Sequence, residues 1–470
     1  MRNNMKQSFL FFFSFMAVLL WWPPFAGADD VGEVKPTESQ TFKAGDAGYA
    51  NQSLLDKFQG SLFADFRVLT YGVIQEPNNT TQNPNNNFLQ IPHYTADVEL
   101  RPDLRFDSKY LELSAKPRAK LELREWEDGS RSGETQWKDD WYVNEWLVRL
   151  NAMNKVYVSY GRENLQWGPS FIFSPSNPFF RDNGHSNPYT EVLGMEFGRL
   201  VFIPSSAWTM SFIVNTDEGR NMLVWSEPFE KTYALKVDYM GGENYASVII
   251  SEKDYKKTLG YFAGWTVSDA VTLYSEGSFT QGSQALYPKK DLSILGAPMQ
   301  KVHEDDSEIE PIILLGGSYT LDGGGTLTLE YVYNGPGYSK EETETYYKLR
   351  RYGALAFNLG NILPSPVGPL VGAWGQQTLI ETFYPGLKML QNNYAMLQYT
   401  QTNILNKIDL TLRWTENCDD SSFQVLTIVS YALGNHMELF TSGILNTGGE
   451  ETEYGSLIKY QVMFGIKFTL

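Results

Sequence analysis

From about residue 60 onward, apolar and polar side chains alternate one for one along stretches of roughly ten residues. Tyr233, Leu235, Val237 and Tyr239 interleave with Ala234, Lys236 and Asp238, and Ile408, Leu410, Leu412 and Trp414 with Asp409, Thr411 and Arg413. The same holds for Leu327, Leu329, Tyr331 and Tyr333 against Thr328 and Glu330, and for Leu121 and Leu123 against Lys120, Glu122 and Arg124. A period of two is that of a strand with one face suited to lipid and the other to water. Tight turns at Ser268-Asp269, Leu321 to Gly325, Met240-Gly241-Gly242 and Leu433 to His436 join the strands at one end. Longer loops near 75–90, 126–140, 164–195, 216–230, 281–309, 335–391, 416–422 and 445–453, with a sharp reversal near 252–256, join them at the other. The pattern predicts an all-β, antiparallel up-and-down transmembrane β-barrel over 60–470, of about 18 strands, with both termini on the short-turn side.

The chain's last stretch carries the pattern furthest. Tyr460, Val462, Phe464, Ile466, Phe468 and Leu470 alternate up to the terminal carboxylate. This resembles the assembly signal of outer-membrane barrels, apart from Leu470 where Phe or Trp is usual. The resemblance implies the barrel assembly machinery as a partner.

At the other end, Arg2 and Lys6 precede an apolar run, Phe9 to Trp22, followed by Ala26-Gly27-Ala28. This reads as an export signal over 1–28, cleaved before Asp29, with a periplasmic segment at 29–59. No later stretch offers 18 consecutive apolar residues, which argues against membrane-crossing helices. The expected location is the outer membrane of a Gram-negative-type bacterium, against lipid and lipopolysaccharide.

Composition sharpens this picture in three ways. With Cys418 the only cysteine, an intramolecular disulfide is impossible and no lipoprotein anchor is available. Losing Arg2 and Lys6 with the signal takes the formal net charge from −17 to −19, which makes nucleic acid an improbable partner. Tyr, Phe and Trp make up 14% of the chain, enough for aromatic girdles at two membrane interfaces.

Enzyme chemistry is not indicated. His93, His185, His303 and His436 lie far apart without metal-ligand spacing, so neither a metal nor a cofactor is expected. A hydrolase needs a His-based constellation, for which His93 near Asp97 is the one candidate, against the plainer reading of a polar strand-end residue.

The alternation sends many charges to the inner face: Asp65, Arg67, Asp97, Glu99, Arg101, Lys120, Glu122, Arg124, Glu145, Arg149 and Arg413. Interspersed signs either line a wet channel with a transverse field or close it with ion pairs. One stretch interrupts the barrel pattern, from Tyr160-Gly161-Arg162-Glu163 through Trp167-Gly168-Pro169 and Ser174 to Pro178, ending at Arg181-Asp182-Asn183. It is too rich in Gly, Pro and Asn for a strand and too apolar for an exposed loop. It reads as a loop folded into the lumen. Arg162 shares parity with Val156 and Val158, so it faces inward only if Gly161 bulges or that strand faces the other way, with Glu122 and Glu145 as available partners.

The Gly161-Arg162 pair, the Trp167-Gly168-Pro169 step and the Ser174 to Pro178 stretch resemble the capsule-assembly barrels of the outer membrane. That resemblance implies a barrel that binds surface polysaccharide and helps hold or organise a capsule. Independently, rings stack on sugar faces while Arg, Asn and carboxylates satisfy hydroxyls, a mixture that Arg162, Glu163, Trp167, Arg181, Asp182 and Asn183 supply. A structural loop lock is the competing reading for all of them. The expected function is polysaccharide binding or surface assembly, the alternative a general or selective diffusion porin for small hydrophilic solutes.

Overall fold

The computed structural model describes residues 60–470 except 181, 182, 186, 221–228, 254, 284, 291–296, 304–307 and 361. The expected signal at 1–28 and the segment at 29–59 lie outside the described residues. The chain forms β1 (Gly60–Pro77), β2 (Tyr94–Ser108), β3 (Leu111–Glu125), β4 (Thr135–Met153), β5 (Val156–Glu163), β6 (Met195–Ser205), β7 (Trp208–Asp217), β8 (Thr232–Gly241), β9 (Asn244–Lys253), β10 (Lys256–Ser268) and β11 (Val271–Gln281). A small hairpin follows, β12 (Leu286–Pro288) with β13 (Met299–Lys301), then β14 (Ile309–Thr320) and β15 (Thr326–Asn334). Two helices, α1 (Lys340–Gly360) and α2 (Val367–Phe383), precede β16 (Asn393–Ile404), β17 (Ile408–Asn417), β18 (Ser422–Leu433), β19 (Met437–Asn446) and β20 (Ile458–Thr469).

Apart from the β12–β13 pair, all strands belong to one 18-stranded sheet in which each pairs antiparallel with its neighbour along the chain. β1 also pairs with β20, from Arg67 opposite Thr469 to Pro77 opposite Ile458, which closes the ring. This is the transmembrane β-barrel that the alternation predicts.

Burial follows the expected parity. On β8, Tyr233, Leu235 and Tyr239 are exposed on the outer face while Ala234 is buried inside. On β17, Leu412 is exposed and Arg413 buried. On β20, Val462 and Phe468 are exposed and Met463 between them is buried. The terminal residue is tied in as well, with the Leu470 amide donating to Phe66 O at 2.9 Å. Such an outer surface is stable only against lipid. A charge there is expected to cost about 2–4 kcal/mol near the bilayer midplane, whereas the lumen tolerates it. Leu412→Arg should therefore lower the urea midpoint of the reconstituted barrel well below that of Thr411→Arg. Equal midpoints would place β17 in the wrong register.

The 335–391 stretch differs from expectation. It is not a loop throughout: Pro364 and Pro366 interrupt it, and a helix forms on either side of them. Pro369 sits in the first turn of α2, where its missing N–H costs nothing. α1 starts with a capping box: the Ser339 amide donates to Glu342 Oε2 at 2.8 Å and the Glu342 amide to Ser339 Oγ at 3.4 Å. The Ser-Lys-Glu-Glu spacing that encodes it was present in the sequence.

Candidate functional site: a segment folded into the lumen

The connection from β5 to β6, residues 164–194, turns into the barrel and touches wall strands round the whole ring. Phe179 and Phe180 pack with Phe197, Ile213, Ala234, Ile249 and Phe262, on β6 to β10. Phe173 packs with Tyr274, Leu314, Val332 and Tyr394, on β11 and β14 to β16. Tyr189 stacks on Phe440 with ring centroids 3.7 Å apart and joins Leu69, Tyr71, Val73 and Met463, on β1 and β20.

Polar anchors fix the path between these apolar contacts. The Glu276 carboxylate on β11 is fully buried and accepts from the hydroxyls of Ser170 (2.7 Å), Ser176 (2.7 Å) and Ser174, and from the Ser176 amide at 3.2 Å. Glu330 on β15 accepts the amides of Phe171 and Ile172 at 2.7 and 3.1 Å and the Tyr274 hydroxyl at 2.7 Å. Gly168 adopts φ +89°, and a Cβ there would meet Glu276 Oε2 at 2.3 Å, so only glycine lets the turn approach the carboxylate. On the far side Arg118, 2% exposed, holds Glu191 through two bonds of 2.6 Å and Asp103 through one of 2.8 Å. Arg101 donates to Tyr189 O at 2.8 Å and Arg413 to His185 O at 3.1 Å.

The charges assigned to the lumen are on its inner face. Arg67 bridges Asp65 and Asp103, Lys120 pairs with Asp97 at 2.8 Å, and Arg124 pairs with Glu122. Glu145 pairs with Lys116 at 3.0 Å, Arg149 with Glu112 at 2.6 Å, and Arg101 with Glu99 at 2.5 Å. Most of this two-signed ladder stands on β1 to β4. The wall from β7 to β11 carries mainly small polar and apolar inward residues such as Ser211, Ile213, Ser247, Ile249 and Ser278.

Other site residues are placed less as expected. Arg162 stands opposite Trp146 and Glu196, and shares its face with Val158 and Tyr160, both exposed outward. The strand has no bulge at Gly161, so the parity of β5 keeps Arg162 off the lumen. Its partners are Glu196 at 2.9 Å and Val143 O at 3.0 Å, not Glu122 or Glu145. Glu163, one residue on, does face inward and binds Arg199 at 2.9 Å, a partner that sequence reading missed. Trp167 meets Phe179 edge to face at 5.8 Å, and Lys236 Nζ lies 5.5 Å from its ring centroid. Asn183 is buried and donates to the carbonyls of Ser170 and Phe171. Arg181 and Asp182 lie outside the described residues.

His93 does not serve Asp97: its Nδ1 accepts the Glu127 amide at 3.1 Å and its Nε2 lies 3.7 Å from Asp128. Among the described residues, His303, Glu308 and Glu310 bring ligand-type atoms within 4.8 Å of one another, a convergence their sequence spacing did not suggest.

α1 roofs this arrangement. Its root joins a cluster of Tyr338, Tyr346, Tyr347, Leu349 and Leu390 beside β12 and β13, and Phe357 near its far end meets Phe88, beyond β1, edge to face at 5.9 Å. Those anchor points are separated by a third of the ring. α1, with 21 residues about 31 Å long, joins them, and Arg351 midway pairs with Glu451 of the β19–β20 loop at 3.0 Å. Glu453, in the β19–β20 loop, fastens the base: it accepts from the Leu390 amide (3.2 Å), Tyr394 Oη (2.5 Å) and Asn417 Nδ2 (2.8 Å). Burial, with the nearby Asp420, pushes this carboxyl from 4.5 up to about 7 against those bonds. The folded state thus favours the protonated acid, so stability at this contact is greatest at low pH and falls as pH rises from 4.5 through about 7. The Leu390 amide, corrected for intrinsic exchange, should be better protected from hydrogen exchange at pH 5 than at pH 8. Glu453→Gln should remove the difference; equal protection in the native chain would refute the assignment.

No family model matches the sequence, and no curated relative matches it either. Among solved structures the barrel is similar to OccAB1 of Acinetobacter baumannii, with a TM-score of 0.51 at 10% identity over 88% of this chain and 99% of that one. OpdL of Pseudomonas aeruginosa gives 0.48 at 11% over 87% and 98%, and the outer membrane protein OprD of the same organism 0.47 at 9% over 87% and 94%. At such identities the likeness is one of fold.

Proposed function

We propose that the protein is a selective passage for small hydrophilic solutes through an outer membrane, its lumen narrowed by residues 164–194. The observation that carries this reading is the segment's attachment all round the wall beside a dense two-signed charge ladder on β1 to β4. A solute crossing between them meets fixed, paired charges of both signs along one wall. The barrel fold agrees with it; outer-membrane lipid, lipopolysaccharide and the barrel assembly machinery are the partners this proposal carries with it.

Capsule-type polysaccharide binding is the second reading, resting on the Trp167-Gly168-Pro169 and Ser174 to Pro178 resemblance. It is weakened because the polar groups of this stretch are engaged within the protein: the serine hydroxyls by Glu276, Asn183 by backbone carbonyls, Arg162 by Glu196. Planar-bilayer recording separates the two. The selective channel conducts, and charged solutes reduce its current; a non-conducting protein that retains polysaccharide would overturn it. Trp167→Ala removes packing on the order of 3 kcal/mol from the segment and should raise conductance while heat-modifiable barrel folding survives. Unchanged conductance would take Trp167 out of the passage.

A further inference from the structure

The helix pair over the mouth has an inverted composition. Where α1 and α2 meet, the contact is made by glycines: a Cβ on Gly360 would lie 2.3 Å from Gly372 Cα, one on Gly353 2.7 Å from Thr378 Cγ2, and one on Gly375 2.3 Å from the Phe357 amide nitrogen. The large apolar side chains point away instead. Leu355, Ile362, Leu363, Val367 and Leu370 are exposed, Ile362 by 76% and Leu370 by 67%. Between Arg351 and Glu381 there is no charged residue at all. In water the large side chains of a helix pair are buried at the contact and polar ones cover the outside. Close backbone approach through small residues, with bulky apolar groups outside, is the arrangement that suits hydrocarbon.

The position agrees with the composition. Phe357 touches Phe88 in the β1–β2 loop and lines one open cleft with Asn85, Asn87, Gly129 and Ser130, the latter two in the β3–β4 loop. The far end of α1 thus reaches the loops at the end of β1 to β4. Ile362 and Leu363, both exposed, stand just beyond the end of α1 at Gly360, a few residues from this contact. The outer face of β4 nearby carries Trp137 and Trp141, exposed by 62% and 71%, on either side of Asp139.

We propose that the tip of the α1–α2 hairpin is a lipid-docking element that inserts among acyl chains of the membrane beside β2 to β4. Among the described residues no helix is long and apolar enough to cross a membrane, and the tip side chains Leu355, Ile362, Leu363, Val367 and Leu370 reach into one leaflet at most. The roof is thereby tethered twice, by the aromatic cluster at its root and by lipid at its tip. This inference rests on the barrel fold and not on the solute-passage reading.

The test uses the full mature chain with Cys418→Ser, Ile362→Cys labelled with an environment-sensitive nitrobenzoxadiazole dye, and Glu450→Cys as the water-exposed control. In phosphatidylcholine vesicles carrying acyl-chain nitroxide lipid, the label at 362 should emit to the blue and be quenched at least about twofold more than at 450. Adding Leu355→Asp and Leu370→Asp, with barrel folding verified by heat modifiability, should abolish most of that difference. Equal, water-like emission at both positions overturns the proposal. So does a blue-shifted label that nitroxide lipid leaves unquenched and that dilution of the protein returns to water, since the occupant is then a second copy.

Discussion

Glu276→Leu is expected to open the barrel, raising single-channel conductance several-fold while heat-modifiable folding is retained. The side chain is fully buried and is the common acceptor for three serine hydroxyls and one amide. Hydrogen bonds to a charged group contribute about 1.5–3 kcal/mol each, and an orphaned buried donor adds its own desolvation cost. Losing the carboxylate therefore removes on the order of 5 kcal/mol or more from the 170–176 turn, enough to release it from the wall. The barrel's own strand ladders do not depend on this contact. Glu276→Gln keeps an acceptor and should give an intermediate conductance. Gly168→Ala, which drives a methyl into the same carboxylate from the other side, should reproduce part of the increase. If Glu276→Leu conducts like the native chain, the 164–194 segment is not the narrow point and the passage lies elsewhere.

Arg118→Met is expected to free the second half of the segment. The guanidinium is almost wholly buried and binds Glu191 in two places, Asp103 in one, and the carbonyls of Pro102 and Pro117. Removing one partner of a buried pair costs about 3–5 kcal/mol, because the other charge stays behind uncompensated. Glu191 and Asp103 keep some exposure, at 25% and 22%, so the lower end of that range applies. Exchange of the amides in 187–193 should then speed up roughly a hundredfold, the equivalent of about 3 kcal/mol. Arg118→Met with Glu191→Leu should recover much of the loss, since the stranded acid is gone. Failure of the double variant to recover would assign the effect to Asp103 or to the proline carbonyls.

The barrel was legible because its outer face obeys a single local rule. Every membrane strand has to show lipid one side and water the other, so period two persists from β1 to the last residues of β20, and the short turns mark one end. The parity of Asp97, Glu122, Arg149 and Arg413 came from that rule alone. So did the ambiguity at Arg162: its parity with Val158 pointed outward, unless Gly161 bulged or the strand faced the other way, and the structure shows neither.

The sequence by itself thus determined the strand periodicity, the even strand count, the inner and outer faces, and the presence of an apolar, backbone-stiffened stretch between β5 and β6. Tertiary structure decided where that stretch goes, because Glu276 and Glu330, far along the chain, supply its acceptors and Arg118 its counter-charge. It also decided that Glu163 meets Arg199, and that His93 serves a loop amide and not Asp97. The helix pair lies between these cases: its capping box and its glycines are local and readable, but which side of a glycine faces a partner depends on the packed pair. Strand parity is a property of neighbours one bond apart, whereas ion pairs and anchors are chosen among groups that only the closed ring brings within reach.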